Sequence, residues 1–298
     1  MLVAVGRLRP NPELNILKPK TVNVERNTTS SERLHKVLAR AGVGSLRSVE
    51  AWIRAGRVKV NGRPAAVGAR VAAGDRVTLD GNPVAYRDTL PTRSRILAYY
   101  KPAGELSSRS DADGRRTVFQ ALPGIRKGRW IAIGRLDLNS SGLMLFTNDG
   151  ELANALMHPS SGVEREYAVR VLGSAGAGAI ANMLKGVVLE DGPARFAQLT
   201  DAGGTGANHW YRVVILEGRK REVRRLWESQ GLKVSRLIRI RFGSYTLPRY
   251  KRQGQFWELT RNDVDALYRT AGISNERKAA RDKSQVTRRK KKTRAYTR

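Results

Sequence analysis

Asp137 is the first residue that could carry chemistry. It lies in the run GRLDLNSSGLMLFTNDG at residues 134–150, flanked by Leu136 and Leu138 and preceded by Arg135. A carboxylate between two apolar, strand-like segments is expected to be half buried in a loop. On local pattern alone, an Asp followed by Asn-Ser-Ser-Gly reads as a turn residue that hydrogen-bonds its own backbone. Other chemistries are narrower. The chain has no cysteine, which excludes disulfides, zinc-thiolate sites and thiol nucleophiles. His35, His158 and His209 share no metal-ligand spacing and read as structural. Asp149 and Glu151 stand where a helix begins, so capping and dipole roles account for them.

Charge is the second signal. The 298 residues hold 56 Lys plus Arg against 26 Asp plus Glu, a net charge of +30. No fold requires that imbalance, but it raises the local potential for polyanions, so nucleic acid is the leading partner. The last stretch, 276–298, carries 11 Lys or Arg against Glu276 and Asp282 and reads as a disordered basic arm. No apolar run approaches the ~18 residues of a membrane span, and the N-terminus is too briefly apolar for a secretory signal. A cytoplasmic, monomeric protein with no membrane contact is expected.

These residues need elements to hold them. Residues 1–30 lack periodicity and read as a loose arm. In Arg33–Ala41, Leu34, Val37, Leu38 and Ala41 fall at helical spacing, with Gly42 and Gly44 ending the helix. Ser45 can cap a second helix, in which Val49, Trp52 and Ile53 share a face and Gly56 closes the end. Val58 and Val60 alternate into an Asn61-Gly62 turn, and a further strand lies around Val77 and Leu79. This gives a small unit over 31–81 and a linker over 82–94. A larger α+β domain follows over 95–268, and the basic tail takes 269–298. Its expected strands are 96–100, 130–133, 143–147, 167–172, 210–216 and 235–242. Asn148 with Glu151 resembles a capping box opening a helix over 151–157. Val223, Leu226 and Trp227 mark one face of a helix over 221–230. In RLIRIRFG, Ile238, Ile240 and Phe242 alternate with Arg239 and Arg241, so one face packs and the other meets solvent or RNA. Trp210 and Trp227 are expected in the core.

The small unit is studded with Arg33, Lys36, Arg40, Arg47, Arg54, Arg57, Lys59 and Arg63. The stretch RLHKVLARAGVGSLRSVEAWIRAGRVKVNG with GARVAAGDRVTLDG resembles the RNA-binding domain named after ribosomal small-subunit protein four. Its two helices present cations to RNA phosphates, contacts that position without specifying a base. Leu46 stands where that family usually has Arg or Lys. The runs GRLDLNSSGLMLFTNDGELANALMHP, EREYAVRV at 164–171 and EGRKREVRRLWESQGLKVSRLIRIRFG at 217–243 are similar to the ribosomal RNA pseudouridine synthases that bear this small domain. YKPAGELSS at 100–108 and GRRTVFQALP at 114–123 add to the match, which spans about Ser31 to Leu259.

The resemblance implies a catalytic domain built on a mixed, mainly antiparallel sheet. It implies isomerisation of uridine: the ribose–nitrogen bond is cut, the uracil turns in place, and a carbon–carbon bond forms. Asp137 takes the catalytic position, either attacking the anomeric carbon or removing the neighbouring ribose proton. One carboxylate suffices because the uracil anion is delocalised and stays in the pocket, whereas a glycosidase needs two. No metal or cofactor is implied. Arg224 is the expected ion-pair partner of Asp137, Tyr167 the aromatic against the flipped base, and Val223 a pocket wall. Arg135 holds the RNA backbone or fills the space the base leaves. GRKREVRRLWE and VSRLIRIRFG look more like the large-subunit enzymes, so 23S ribosomal RNA or its precursor particle is the expected substrate and partner. The same chemistry on small-subunit rRNA or tRNA, or a non-catalytic RNA-binding assembly factor, are the alternatives.

Overall fold

The computed structural model describes residues 31–72, 74–86, 94–125, 128–204 and 206–273. The expected arm over 1–30, most of the linker and all but the start of the tail lie outside the described residues.

The small unit opens with β1 (Glu32–Arg33), α1 (Leu34–Arg40) and α2 (Leu46–Arg54). Ser45 caps α2 by accepting from the Ser48 amide, and Gly56, at φ +69°, turns the chain out of it. Then come β2 (Val58–Val60), β3 (Arg63–Pro64), β4 (Arg70–Val71), β5 (Val77–Leu79) and β6 (Asn82–Pro83). The Asn61-Gly62 turn has positive φ at both residues, as a tight hairpin requires. It connects β2 to the short β3, while β5 pairs with β2 from the other side. Leu34, Val37, Leu38, Val49, Ile53, Val58, Val71 and Val77 close a core of their own.

The second part is built on one nine-stranded sheet. In chain order its elements are β7 (Ile96–Lys101), β8 (Ile131–Ile133), β9 (Ser141–Thr147), α3 (Gly150–Met157), β10 (Arg165–Leu172) and α4 (Ala177–Lys185). The hairpin of β11 (Val187–Leu189) and β12 (Gly192–Ala194) follows, then β13 (Gln198–Asp201), β14 (Asn208–Ile215), α5 (Glu222–Glu228) and β15 (Val234–Phe242). Last come β16 (Tyr245–Thr246), β17 (Phe256–Glu258) and α6 (Arg261–Thr270). The strand order is β13-β14-β10-β15-β9-β7-β17, with β8 on β9 and β16 on β15. Every pairing is antiparallel except β15 with β9. The expected mixed, mainly antiparallel sheet is what forms.

Strand alternation divides the core between the two faces. Leu97, Tyr99, Met144 and Phe146 pack on one face with Leu136, Tyr167, Val223 and Trp227. Ile96, Ala98, Leu143 and Leu145 pack on the other with α3 and α6. The parallel β9–β15 contact needs a glycine. A Cβ on Gly142 would sit 2.3 Å from the Arg239 carbonyl oxygen, and its φ of +112° is glycine territory.

Two local expectations are corrected. The cap of α3 is Asp149, whose carboxylate accepts from the Glu151 and Leu152 amides; the Asn148 side chain instead accepts from the Arg95 amide and ties β7 to the turn. The outward face assigned to Arg239 and Arg241 is covered at Arg239 and half-covered at Arg241. Arg239 is 2% exposed, and Arg241 is bound to Glu164 and Glu166. Alternation sorts side chains to faces, but β15 is a central strand beside β9, and Arg239 is buried there against the Leu143 and Arg135 carbonyls. Trp227 is fully buried as expected, while Trp210 stays half-buried under Arg170.

Candidate active site

Asp137 sits in the connection between β8 and β9, half-buried, with Arg135 exposed two residues before it. The turn reading accounts only for its backbone: the Asp137 carbonyl accepts from the Ser140 amide at 3.1 Å. Among the described residues no hydrogen bond or ion pair engages the carboxylate, so it remains available to a ligand.

What fixes the loop is a set of buried cations that between them donate to backbone carbonyls on both sides of Asp137. Lys101, at the end of β7 and 0% exposed, donates from Nζ to the carbonyls of Ser140 at 2.8 Å, Pro102 at 2.9 Å and Leu138 at 3.3 Å. Arg224, on α5, donates to Asn139 and Val234 carbonyls, both at 3.0 Å. Arg239, on β15, donates to Leu143 at 2.7 Å and Arg135 at 3.4 Å. Ser107 adds a bond to the Leu136 carbonyl and the Gly104 amide one to Leu138. Segment 135–143 is thereby bound from β7, α5 and β15 at once.

The electrostatics follow. Burial pushes the Lys101 ammonium down to about 8, against the opposing pull of Glu105 and Asp137. Burial also lowers Arg224, helped by the Arg221 charge and opposed by Asp137. Arg224 thus feels the Asp137 charge, yet no ion pair within 4.0 Å joins them among the described residues. Its guanidinium is committed to the carbonyls of Asn139 and Val234, which orient the loop. The expected direct pair is therefore replaced by an indirect hold.

The other expected residues converge unevenly. Tyr167, 7% exposed, and Val223, 4% exposed, belong to the same buried cluster as Leu136, the neighbour of Asp137. Arg224 follows Val223 on α5. Arg33, Lys36, Arg47, Arg54 and Lys59 are exposed on the small unit, well placed for a polyanion. Arg40 is paired with Glu32 at 2.7 Å, and Arg57 is held by Asp80 and stacked 5.5 Å from the Trp52 ring, so these two are partly committed within the protein. Sequence reasoning missed Lys101 and Arg239. The lysine stands inside YKPAGELSS, where an isolated cation at a strand end was the only signal available.

Among the described residues no group of three or more His, Cys, Asp or Glu could hold a metal, and no helix is long and apolar enough to cross a membrane. His35 lies 4.0 Å from Glu50, His158 bonds Ser160, and His209 bonds Asp201.

A family model described as RNA pseudouridylate synthase matches residues 95–229, and one described as the S4 domain matches residues 32–77. A Haemophilus influenzae protein called ribosomal large subunit pseudouridine synthase B is 50% identical over 280 residues, covering 92% of this chain and 78% of the relative. The Escherichia coli K12 protein of the same name is 54% identical over 231 residues, covering 77% of this chain and 79% of the relative. That of Pseudomonas aeruginosa is 53% identical over 243 residues, 81% of this chain, but the match spans only 63% of the relative's length. A solved pseudouridylate synthase superposes with a TM-score of 0.56 at 24% identity, covering 79% of this chain and 99% of that one, a likeness of fold.

Proposed function

Since the chain belongs to the RNA pseudouridylate synthase family, we propose that it converts a uridine of large-subunit ribosomal RNA to pseudouridine, with Asp137 as its catalytic residue. The substrate follows from the names of its relatives. The observation that carries the role of Asp137 is its loop: three buried cations hold the surrounding carbonyls, while among the described residues the carboxylate itself has no hydrogen-bond or ion-pair partner.

The small domain over 31–81 supplies salt-sensitive affinity through Arg33, Lys36, Arg47, Arg54 and Lys59, with Arg40 and Arg57 at its edge. The domain over 95–268 does the chemistry as a monomer in the cytoplasm. The target uridine swings out of its stack toward Tyr167 and Val223, and Arg135 takes the adjacent backbone or the vacated space. The bond between uracil N1 and ribose C1′ breaks. The uracil turns, C5 bonds to C1′, and the hydrogen lost from C5 is balanced by a proton gained at N1. No water is consumed and nothing leaves. Asp137 either bonds to C1′ or takes the neighbouring ribose proton. In either role its distance from the sugar decides the rate, which is why a loop fixed from three elements matters.

The test is chemical mapping of pseudouridine in ribosomal RNA from cells with and without the gene, rescued by wild type or by Asp137→Asn. A large-subunit position loses its mark and only wild type restores it. If no ribosomal position changes, the substrate assignment fails. If Asp137→Asn restores the mark, the catalytic assignment fails.

A further inference from the structure

A cationic cavity lies away from Asp137, on the same face of the sheet. Arg109, Phe119, Leu122, Ile125, Arg129 and Trp130 line a space of about 240 Å³. Phe119 packs edge-on against Phe146 at 5.4 Å, which places the cavity over the face that also carries Leu136 and Tyr167. Arg129 precedes Asp137 by eight residues, so the two are at most ~29 Å apart along the chain. Ile131, two residues after Arg129, pairs with Thr147, at the end of β9 opposite Ser141. The cavity therefore sits at the far end of β8. Its rim touches the small domain: a Cβ on Gly128 would lie 3.2 Å from the Arg40 carbonyl, and one on Gly42 would lie 2.9 Å from the Gly128 carbonyl.

Among the described residues the charge in this cavity is uncompensated. The Arg109 guanidinium stands 4.3 Å from the centre of the Phe119 ring and donates to the Trp130 carbonyl. Arg129 is half-buried, and its Nε is buried without a hydrogen-bond partner. Among the described residues neither arginine has an ion-pair partner. Burial lowers the proton affinity of both, and the Arg129 charge lowers that of Arg109 further. The chain resolves a similar pair differently: Arg219 and Arg225 converge on Asp191 at 2.9 and 2.8 Å. Among the described residues no carboxylate plays that part between Arg109 and Arg129. Two neighbouring cations partly withdrawn from water are costly unless an anion joins them.

We propose that Arg109 and Arg129 form a phosphodiester-binding subsite that grips the RNA strand between the small domain and the catalytic loop. This rests on the reading of the chain as an RNA-modifying enzyme. The guanidinium fork matches phosphate oxygens, and the Phe119 face holds one fork in plane. The subsite is a third point of contact, after the exposed cations of the small domain and the pocket around Asp137, and it sets the register of the strand between them.

The test is the salt dependence of binding to deproteinised large-subunit ribosomal RNA, measured with the full chain as wild type, R129Q, R109Q/R129Q and R109K/R129K. Each phosphate contact contributes ~0.7–0.9 to the slope of log K against log salt. R129Q loses about one contact's share of slope, and the double Gln variant loses more. The double Lys variant retains most of it. Arg129 has no ion pair to lose among the described residues, so R129Q does not lower the melting temperature and decides the matter alone if the double Gln variant unfolds. An unchanged slope in R129Q overturns the proposal. Inorganic phosphate at matched ionic strength is the second arm. If it raises the melting temperature of wild type but not of R129Q while the RNA slope is unchanged, the site takes a free anion and the RNA assignment is overturned. Pseudouridine formation by wild type is measured on the same RNA. Its absence would count against the catalytic reading, while the slopes still decide the subsite.

Discussion

In the small domain Arg33, Lys36, Arg47, Arg54 and Lys59 stand in solvent, whereas around Asp137 the cations Lys101, Arg224 and Arg239 are 0%, 7% and 2% exposed. The outer set creates a field for a polyanion and is screened by salt. The inner set donates to backbone carbonyls, is shielded from salt, and fixes one loop. The same residue types thus do two jobs, and burial decides which.

Glycines draw the same contrast, with the largest expected effect. Gly142→Ala puts a methyl group 2.3 Å from the Arg239 carbonyl oxygen and 2.5 Å from its amide nitrogen, both backbone atoms that cannot step aside, at a φ of +112°. A loss above ~3 kcal/mol is expected, enough to lower the melting point sharply or prevent folding. Gly81→Ala in the small domain also sits at positive φ, +80°, but meets nothing within 4 Å. It costs only ~1 kcal/mol, readable by chemical denaturation. Equal losses at the two sites would break the contrast.

Lys101→Met comes next. Methionine keeps most of the stem and removes the donor to Pro102, Leu138 and Ser140. Stability changes by only ~1–3 kcal/mol, because the orphaned carbonyls are offset by relief of a buried ammonium. Turnover falls ~10²-fold or more as the Asp137 loop loosens, while affinity for ribosomal RNA stays within about twofold. A loss that appears in binding rather than in kcat would place Lys101 with the outer cations.

The pH dependence sharpens the point. The folded pKa of Lys101 is about 8, below the 10.5 of a free lysine. Between those values the unfolded chain binds more protons, so this group's contribution to stability rises with pH. Deprotonation also removes one donor and the charge beside Asp137. Turnover should therefore decline above about pH 8 with no matching loss of stability, and the decline should be absent from Lys101→Met. A parallel fall in the melting temperature would assign the decline to unfolding instead.

The smallest effect is expected at the surface. Arg47→Gln leaves stability unchanged and lowers the salt slope of RNA binding by ~0.7–0.9, with kcat at saturating RNA unaffected. A large drop in kcat would mean that the outer cations also act on the Asp137 loop.

Much of this was legible in the sequence. All six expected strands form, because apolar alternation is a local property of the chain. Helix α4 (AGAIANMLK) was not legible, since its small residues blur any apolar stripe. Helix α6 was readable in principle from Thr260 and Asp263, which form a capping box. The position of Asp137 was legible through the motif around it, but that its carboxylate has no partner among the described residues was not, because a bonded and an unbonded turn Asp share the same local pattern.

By itself the sequence determined the net charge, the periodicity of the strands and helices, the glycine at 142 and the order of the motifs. Each depends on residue type and near neighbours. Only the tertiary structure decided which cations are buried and what they bind. Lys101 and Arg239 meet the Asp137 loop across the sheet, from strands whose neighbours and coverings are set by pairings distant in sequence. The same holds for Arg109 and Arg129. Their charge stands unmet among the described residues because folding brings them together with none of those carboxylates between them.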